Sequence, residues 1–255
     1  MAVNVNNVYQ TVLYILNKEQ RGYMTPGEFN NVAAQVQQSI FEKYFEDLNQ
    51  YMRGPQVENE YADRVKNLEE KISNFEVSNS LAVSLTSPTD SFATGNLTSL
   101  NPHRIGTFEY QPTSGSLIEL QSVSHHQLNL IRRSKLTQPT LQYPVYVLDQ
   151  GTSNYEIKVY PNTISEIICN YIKKPENPIW AFNVNATTGA YEYVAPGDVS
   201  TFPVTTGSVP FEISNQDKTE LIIGILLYAG VIVRDPSIVN VAADAIRQEE
   251  ISEKS

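Results

Sequence analysis

Cysteine is almost missing from this 255-residue chain: Cys169 stands alone. That excludes an intrachain disulfide and any zinc site built from several thiolates. Histidine is scarce, with three residues, and tryptophan occurs once. Charge is thin as well. Only 18% of residues are charged, with 18 Lys+Arg against 28 Asp+Glu, for a formal net charge of -10. This balance excludes a nucleic-acid binder working through a dense basic field, and the 41% hydrophobic content excludes a charge-rich disordered chain. A bilayer-spanning apolar run is also lacking. The strongest candidate, Leu221–Val233 (LIIGILLYAGVIV), falls short of the ~20 residues required, and Arg234 and Asp235 close it. The opening MAVNVNNVYQTVLYIL has no basic leader and no small-residue cleavage site, so it reads as a helix face and not as a targeting segment.

What is plentiful is tyrosine, with 15 residues, beside many Asn, Gln, Ser and Thr. An uncharged, Tyr-rich composition suits extensive protein–protein contact better than chemistry on a small substrate.

Periodicity divides the chain into three regions. Residues 1–75 read as helical. Val5, Val8, Val12 and Ile15 recur at three- and four-residue spacing, widened by Tyr9 and Leu16. A second helix start is unusually complete: Thr25 as N-cap, Pro26 at the first helical position, Glu28 closing a capping box, and Met24 and Phe29 as a hydrophobic staple. That helix is predicted to run to about Met52 and to stop at Gly54-Pro55, with Phe41 and Phe45 broadening its apolar face. A third, about Glu58–Ile72, carries the narrow stripe Tyr61, Val65, Leu68 and Ile72. Residues 76–213 turn to short alternating runs, as in Tyr143–Leu148, Tyr155–Tyr160, Ile167–Ile172 and Ile179–Val184, with turns at Asp149-Gln150-Gly151 and Thr188-Gly189. One helix capped by Ser124 interrupts them near residues 124–134. Residues 214–255 return to helix. Asp217 and Glu220 suggest a second capping box, Asp235 and Pro236 a new start, and the tail RQEEISEKS an exposed end.

The expected class is α+β: a helical bundle formed by amino- and carboxyl-terminal helices, with a mixed or antiparallel β domain inserted between them. Because Leu221–Ile232 is apolar on nearly all sides, something must cover it. Leu226, Tyr228, Phe41, Phe45 and Tyr51, with Ala242 and Ala245 on the small-residue face that follows, are therefore candidate interface residues.

Groups able to do chemistry are sparse. His125 and His126 are adjacent, so on a helix they point about 100° apart and cannot face one metal. Cys169 alternates with apolar neighbours as buried filler, and Trp180 and Tyr171 lack the basic surroundings of a base-stacking platform. Neither an enzyme nor a cofactor or metal site is expected.

The segment Asn17, Glu19, Gln20, Arg21, Gly22, Thr25, Pro26, Phe29, Asn30, continued by Phe41, Tyr44, Phe45, Leu48 and Asn49, resembles a virion structural protein of crAss-like short-tailed bacteriophages. More loosely, Pro144, Tyr146, Tyr160-Pro161, Asn170-Tyr171-Ile172, Pro175 and Trp180, and the ending Glu220-Leu221, Ala229-Gly230, Arg234-Asp235-Pro236, look like phage head-to-tail connector (ring or adaptor) proteins. The resemblance implies a non-enzymatic ring of twelve copies below the portal, continuing the DNA channel toward the tail, in the virion after assembly in the host cytoplasm. Its partners would be further copies of itself, the portal protein and neighbouring ring or tail proteins, with non-specific proximity to packaged DNA and no membrane. The alternative is another virion component, a tail hub or tail-tube-associated protein.

Overall fold

The computed structural model describes residues 2–18, 23–53, 64–82, 84–85, 92–112, 115–150, 155–233 and 241–248. The proposed stops and starts at Gly54-Pro55 and Asp235-Pro236, the opening of the third helix and the tail beyond residue 248 lie outside them. The chain forms two units, one of residues 1–72 with 175–255, the other of residues 73–174.

In the first unit, strand β1 (Ala2–Val3) leads into helix α1 (Val5–Lys18). Val5, Val8, Tyr9, Val12 and Leu16 are buried. The inward stripe passes from Val12 to Leu16, four residues on, which turns Ile15 toward solvent. Helix α2 (Pro26–Met52) starts with Thr25 as N-cap. The Thr25 hydroxyl accepts from the Glu28 amide, and the Thr25 amide donates to the Glu28 carboxylate at 2.9 Å. Phe29, Ala33, Val36, Ile40, Phe41, Tyr44 and Phe45 are buried along it. Helix α3 (Arg64–Ser73) buries Leu68 and Ile72. Strand β13 (Phe211–Ser214) pairs antiparallel with β1, and a one-turn 3-10 segment, Asn215–Asp217, leads into helix α5 (Lys218–Val233). Ser214 caps that turn, while the Asp217 carboxylate is taken by the Tyr44 hydroxyl at 2.5 Å and Lys71 at 2.7 Å. Burial pushes the Tyr44 hydroxyl far above its ordinary pKa, and the hydrogen bond to Asp217 adds to it. Residues 241–248 are helical, with Ala242 buried.

The second unit, as described, is two sheets around one core. Strands β2 (Glu76–Ala82), β5 (Pro102–Tyr110), β6 (Ile118–Glu119) and β10 (Glu166–Lys173) form an antiparallel sheet in the order β2-β10-β5-β6. Strands β3 (Ser84–Leu85), β4 (Ala93–Asn96), β7 (Gln121–Ser122), β8 (Val145–Gln150) and β9 (Tyr155–Tyr160) form the other, ordered β3-β4-β9-β8-β7 with only β7–β8 parallel. On β10 the period of two sends Ile167, Cys169 and Tyr171 into the core, where they meet Phe108 and Leu120 from one sheet's side and Ala93, Ile157 and Val159 from the other sheet. Helix α4 (His125–Arg133), capped by Ser124 with Gln127 closing the box, lays Leu128 on Val145, Val147 and Tyr160.

The expected class needs correction. The chain is a mixed α/β fold of helices and small sheets, not a helical bundle with one β domain set into it, and no described sheet closes into a barrel. The β-like stretch 175–214 belongs with the helices. Two polar side chains of α2 hold it there. Asn30 accepts from the Trp180 amide at 2.8 Å and donates to its carbonyl at 3.2 Å. Gln37, only 2% exposed, donates to the Glu176 carbonyl at 2.6 Å and accepts from the Glu212 amide at 3.1 Å. Strands β11 (Phe182–Val184) and β12 (Tyr191–Tyr193) form a hairpin in the same unit, so helices and strands share one core.

Candidate assembly surfaces

Trp180 is the hinge-pin of an aromatic ladder in the first unit. Its ring lies 4.6 Å from Tyr9 on one side and 5.7 Å from Phe182, stacked, on the other, and its indole donates to Asn6 at 3.0 Å. The ladder is anchored by Tyr9 against Phe29 at 4.8 Å. Beyond Phe182 it emerges: Phe202 stacks on Phe182 at 5.9 Å and is 51% exposed, and Tyr191 meets its edge at 4.9 Å and is 46% exposed. Buried aromatics therefore run outward into a solvent-facing pair, a surface of the composition that protein partners cover. Periodicity missed this, because Phe202 lies outside any regular strand and reaches Phe182 only through an isolated bridge.

The expected contact residues divide by burial. Phe41 and Phe45 pack edge to face at 5.1 Å inside the first unit and are buried there, as is Ala242. Tyr51, Leu226 and Ala245 are half-buried, and Tyr228 is 39% exposed. Along α5, Leu221, Ile225 and Ala229 are buried while Ile222, Ile223, Leu226 and Leu227 keep accessible area, so the chain covers one side of this helix fully and the other in part. Thr25, Pro26 and Glu28 stand at the start of α2 as a structural cap.

The groups of chemical interest are engaged elsewhere. His125 Nε2 lies 2.6 Å from Asp149, which also binds Lys158; these bonds, led by that to Lys158, hold the Asp149 carboxyl below its ordinary value. Burial raises the Cys169 thiol to about 11. Among the described residues no group of three or more His, Cys, Asp or Glu could hold a metal ion, and no helix is long and apolar enough to cross a membrane. An open cleft of about 710 Å³ on the β2-β10-β5 sheet is lined by Ser78, Arg104, Thr107 and Asn170. There Ser78 donates to Asn170 at 2.6 Å and Asn170 to Thr107 at 3.1 Å, leaving a self-satisfied polar stripe.

Charge is divided unevenly. Residues 73–174 contain seven Lys+Arg and seven Asp+Glu, so of the chain's 18 and 28 the remaining 11 and 21 fall in the first unit, which carries the whole net charge of -10. No family model matches the chain, and no curated protein matches it in sequence.

Proposed function

We propose that this chain is a structural subunit of a phage virion, forming a ring in the head-to-tail connector below the portal. The observation that carries the reading is the resemblance over residues 17–51, whose described part builds α2 and its cap. The exposed end of the aromatic ladder and the partly covered side of α5 add support, since both are apolar surfaces of the kind a neighbouring subunit buries. The ring would be twelve copies, its partners the portal and adjoining ring or tail proteins, and its task to continue the DNA channel. An acidic wall suits that task, because it repels sliding DNA instead of gripping it.

The test is native mass spectrometry of the purified chain, with negative-stain imaging, alone and mixed with the portal of the same virion. Closed rings of uniform copy number, formed alone or on the portal, support the proposal. A chain that stays monomeric in both mixtures overturns it. One that joins a tail hub or tube while ignoring the portal transfers it to the alternative virion role.

A further inference from the structure

The most exposed large apolar side chain described is not on the helical unit. Leu136 is 97% exposed, in the turn that follows α4. Thr137 donates its hydroxyl to the Ile131 carbonyl at 2.8 Å, which ties this turn to the helix end; in the last turn of α4 itself Leu130 is 52% exposed. Tyr143, at the far end of the same loop, is 77% exposed. Arg132, Arg133 and Lys135 place three cations within four residues here, all exposed, and Arg132 also lies 5.6 Å from the Tyr160 ring centre. This is the densest run of positive charge in the chain. It sits on the unit with no net charge, while the other unit carries -10.

Exposed apolar side chains on a segment that also carries three cations select a partner that is apolar and acidic. Nucleic acid fits poorly, since three cations release few counterions and the chain as a whole repels a polyanion. The one partner of suitable chemistry present wherever this chain is present is the acidic unit of a second copy. We infer that the end of α4 and its following turn dock on the acidic unit of the neighbouring copy. Such a contact is heterologous: a basic surface on one copy meets an acidic surface on the next, and repetition by a constant rotation closes a ring. This assigns a surface to the ring reading and rests on it.

The test uses the full chain. Light scattering after size exclusion gives the assembly mass of wild type, of Leu136→Asp and of Arg133→Glu/Lys135→Glu, at low and high salt. All these positions are solvent-facing, so circular dichroism should be unchanged. Expected are a wild-type assembly that weakens with added salt and variants whose self-association is about 10- to 100-fold weaker. In parallel, carbodiimide coupling of mixed light and heavy isotope-labelled protein should yield intermolecular links from Lys135 to carboxylates of residues 1–72 or 175–255.

If wild type and both variants assemble alike, this surface is wrong and the ring reading stands. If wild type neither assembles nor gives a mixed-isotope link from Lys135 at the highest attainable concentration, the inference fails. The ring reading is then left to its own trial with the portal. Binding of the patch to anionic vesicles or duplex DNA without self-association also overturns the inference.

Discussion

Gly224 provides the sharpest check on how the first unit is packed. A Cβ placed on it would lie 2.8 Å from Val36 Cγ1, 3.6 Å from Cγ2 and 3.8 Å from Cβ, so α5 approaches α2 closely at a position that has no side chain. Val36 is buried and β-branched, and its χ1 has one strongly preferred setting on a helix, so it cannot swing aside cheaply. Replacing Gly by Ala inside a helix normally stabilises by about 1 kcal/mol. Overpacking a close contact costs roughly 1–3 kcal/mol. Gly224→Ala should therefore be neutral to destabilising by about 2 kcal/mol. Gly27, in the first turn of α2, has nothing within 4 Å of its virtual Cβ. Gly27→Ala should keep the ordinary gain, a few tenths to about 1 kcal/mol. Urea unfolding followed by far-ultraviolet circular dichroism measures both. Val36→Ala removes the obstructing methyls, so the double variant Val36→Ala/Gly224→Ala should be more stable than the sum of its singles by about 1–2 kcal/mol. A Gly224→Ala protein stabilised as much as Gly27→Ala, with an additive double variant, would refute the close crossing of α2 and α5.

Two further outcomes are expected. Gln37→Met keeps the volume but strands the Glu176 carbonyl and the Glu212 amide, and should cost about 2–3 kcal/mol in the same assay; a loss under 0.5 kcal/mol would show that water replaces the side chain. Glu28 should give acid sensitivity: its carboxyl is held below the ordinary 4.5 by the Thr25 hydroxyl and then the Thr25 amide. Its contribution is complete above pH 4.5 and is lost as pH falls through the lower folded-state value, so Thr25→Ala, itself costing about 1 kcal/mol, should flatten that acid slope; an unchanged slope would place it elsewhere.

The helices were the most legible part of this chain. Thr25, Pro26 and Glu28 declare a helix start by local chemistry alone, and the same holds for Ser124 as a cap, to which the fold adds Gln127. Alternation in Ile167–Ile172 marked β10, because a strand between two sheet neighbours with one face on a core must alternate. The assignment of residues 175–214 was illegible for the opposite reason. It depends on Asn30 and Gln37, which in sequence look like solvated polar residues on a helix and in the fold bond to backbone about 140 to 175 residues away. Asp217 misled in the same manner: its position suggested a cap, whereas Tyr44 and Lys71 claim its carboxylate. The surface at Leu136 gives no periodic signal, since a turn has no period, and its meaning rests on a charge division visible only once the two units are known.

The pairing of Ala2–Val3 with Phe211–Ser214 has a consequence for the order in which the chain is completed. Residues 73–174 form an uninterrupted stretch, so everything that unit needs has been synthesised before residue 175 appears. The other unit must wait. The strand that pairs with Ala2–Val3, the indole that packs on Tyr9 and the backbone that Asn30 and Gln37 bind all lie beyond that point. Until then α1 and α2 have their apolar faces but not the surfaces that cover them, and closing this unit carries the entropy of a long loop unless the inserted unit has already drawn its two ends together. A nascent chain therefore passes through a stage in which the neutral unit can be finished while the acidic one is still open. Under the proposed contact between copies, the acidic surface would then mature last, and assembly would wait until each copy is whole.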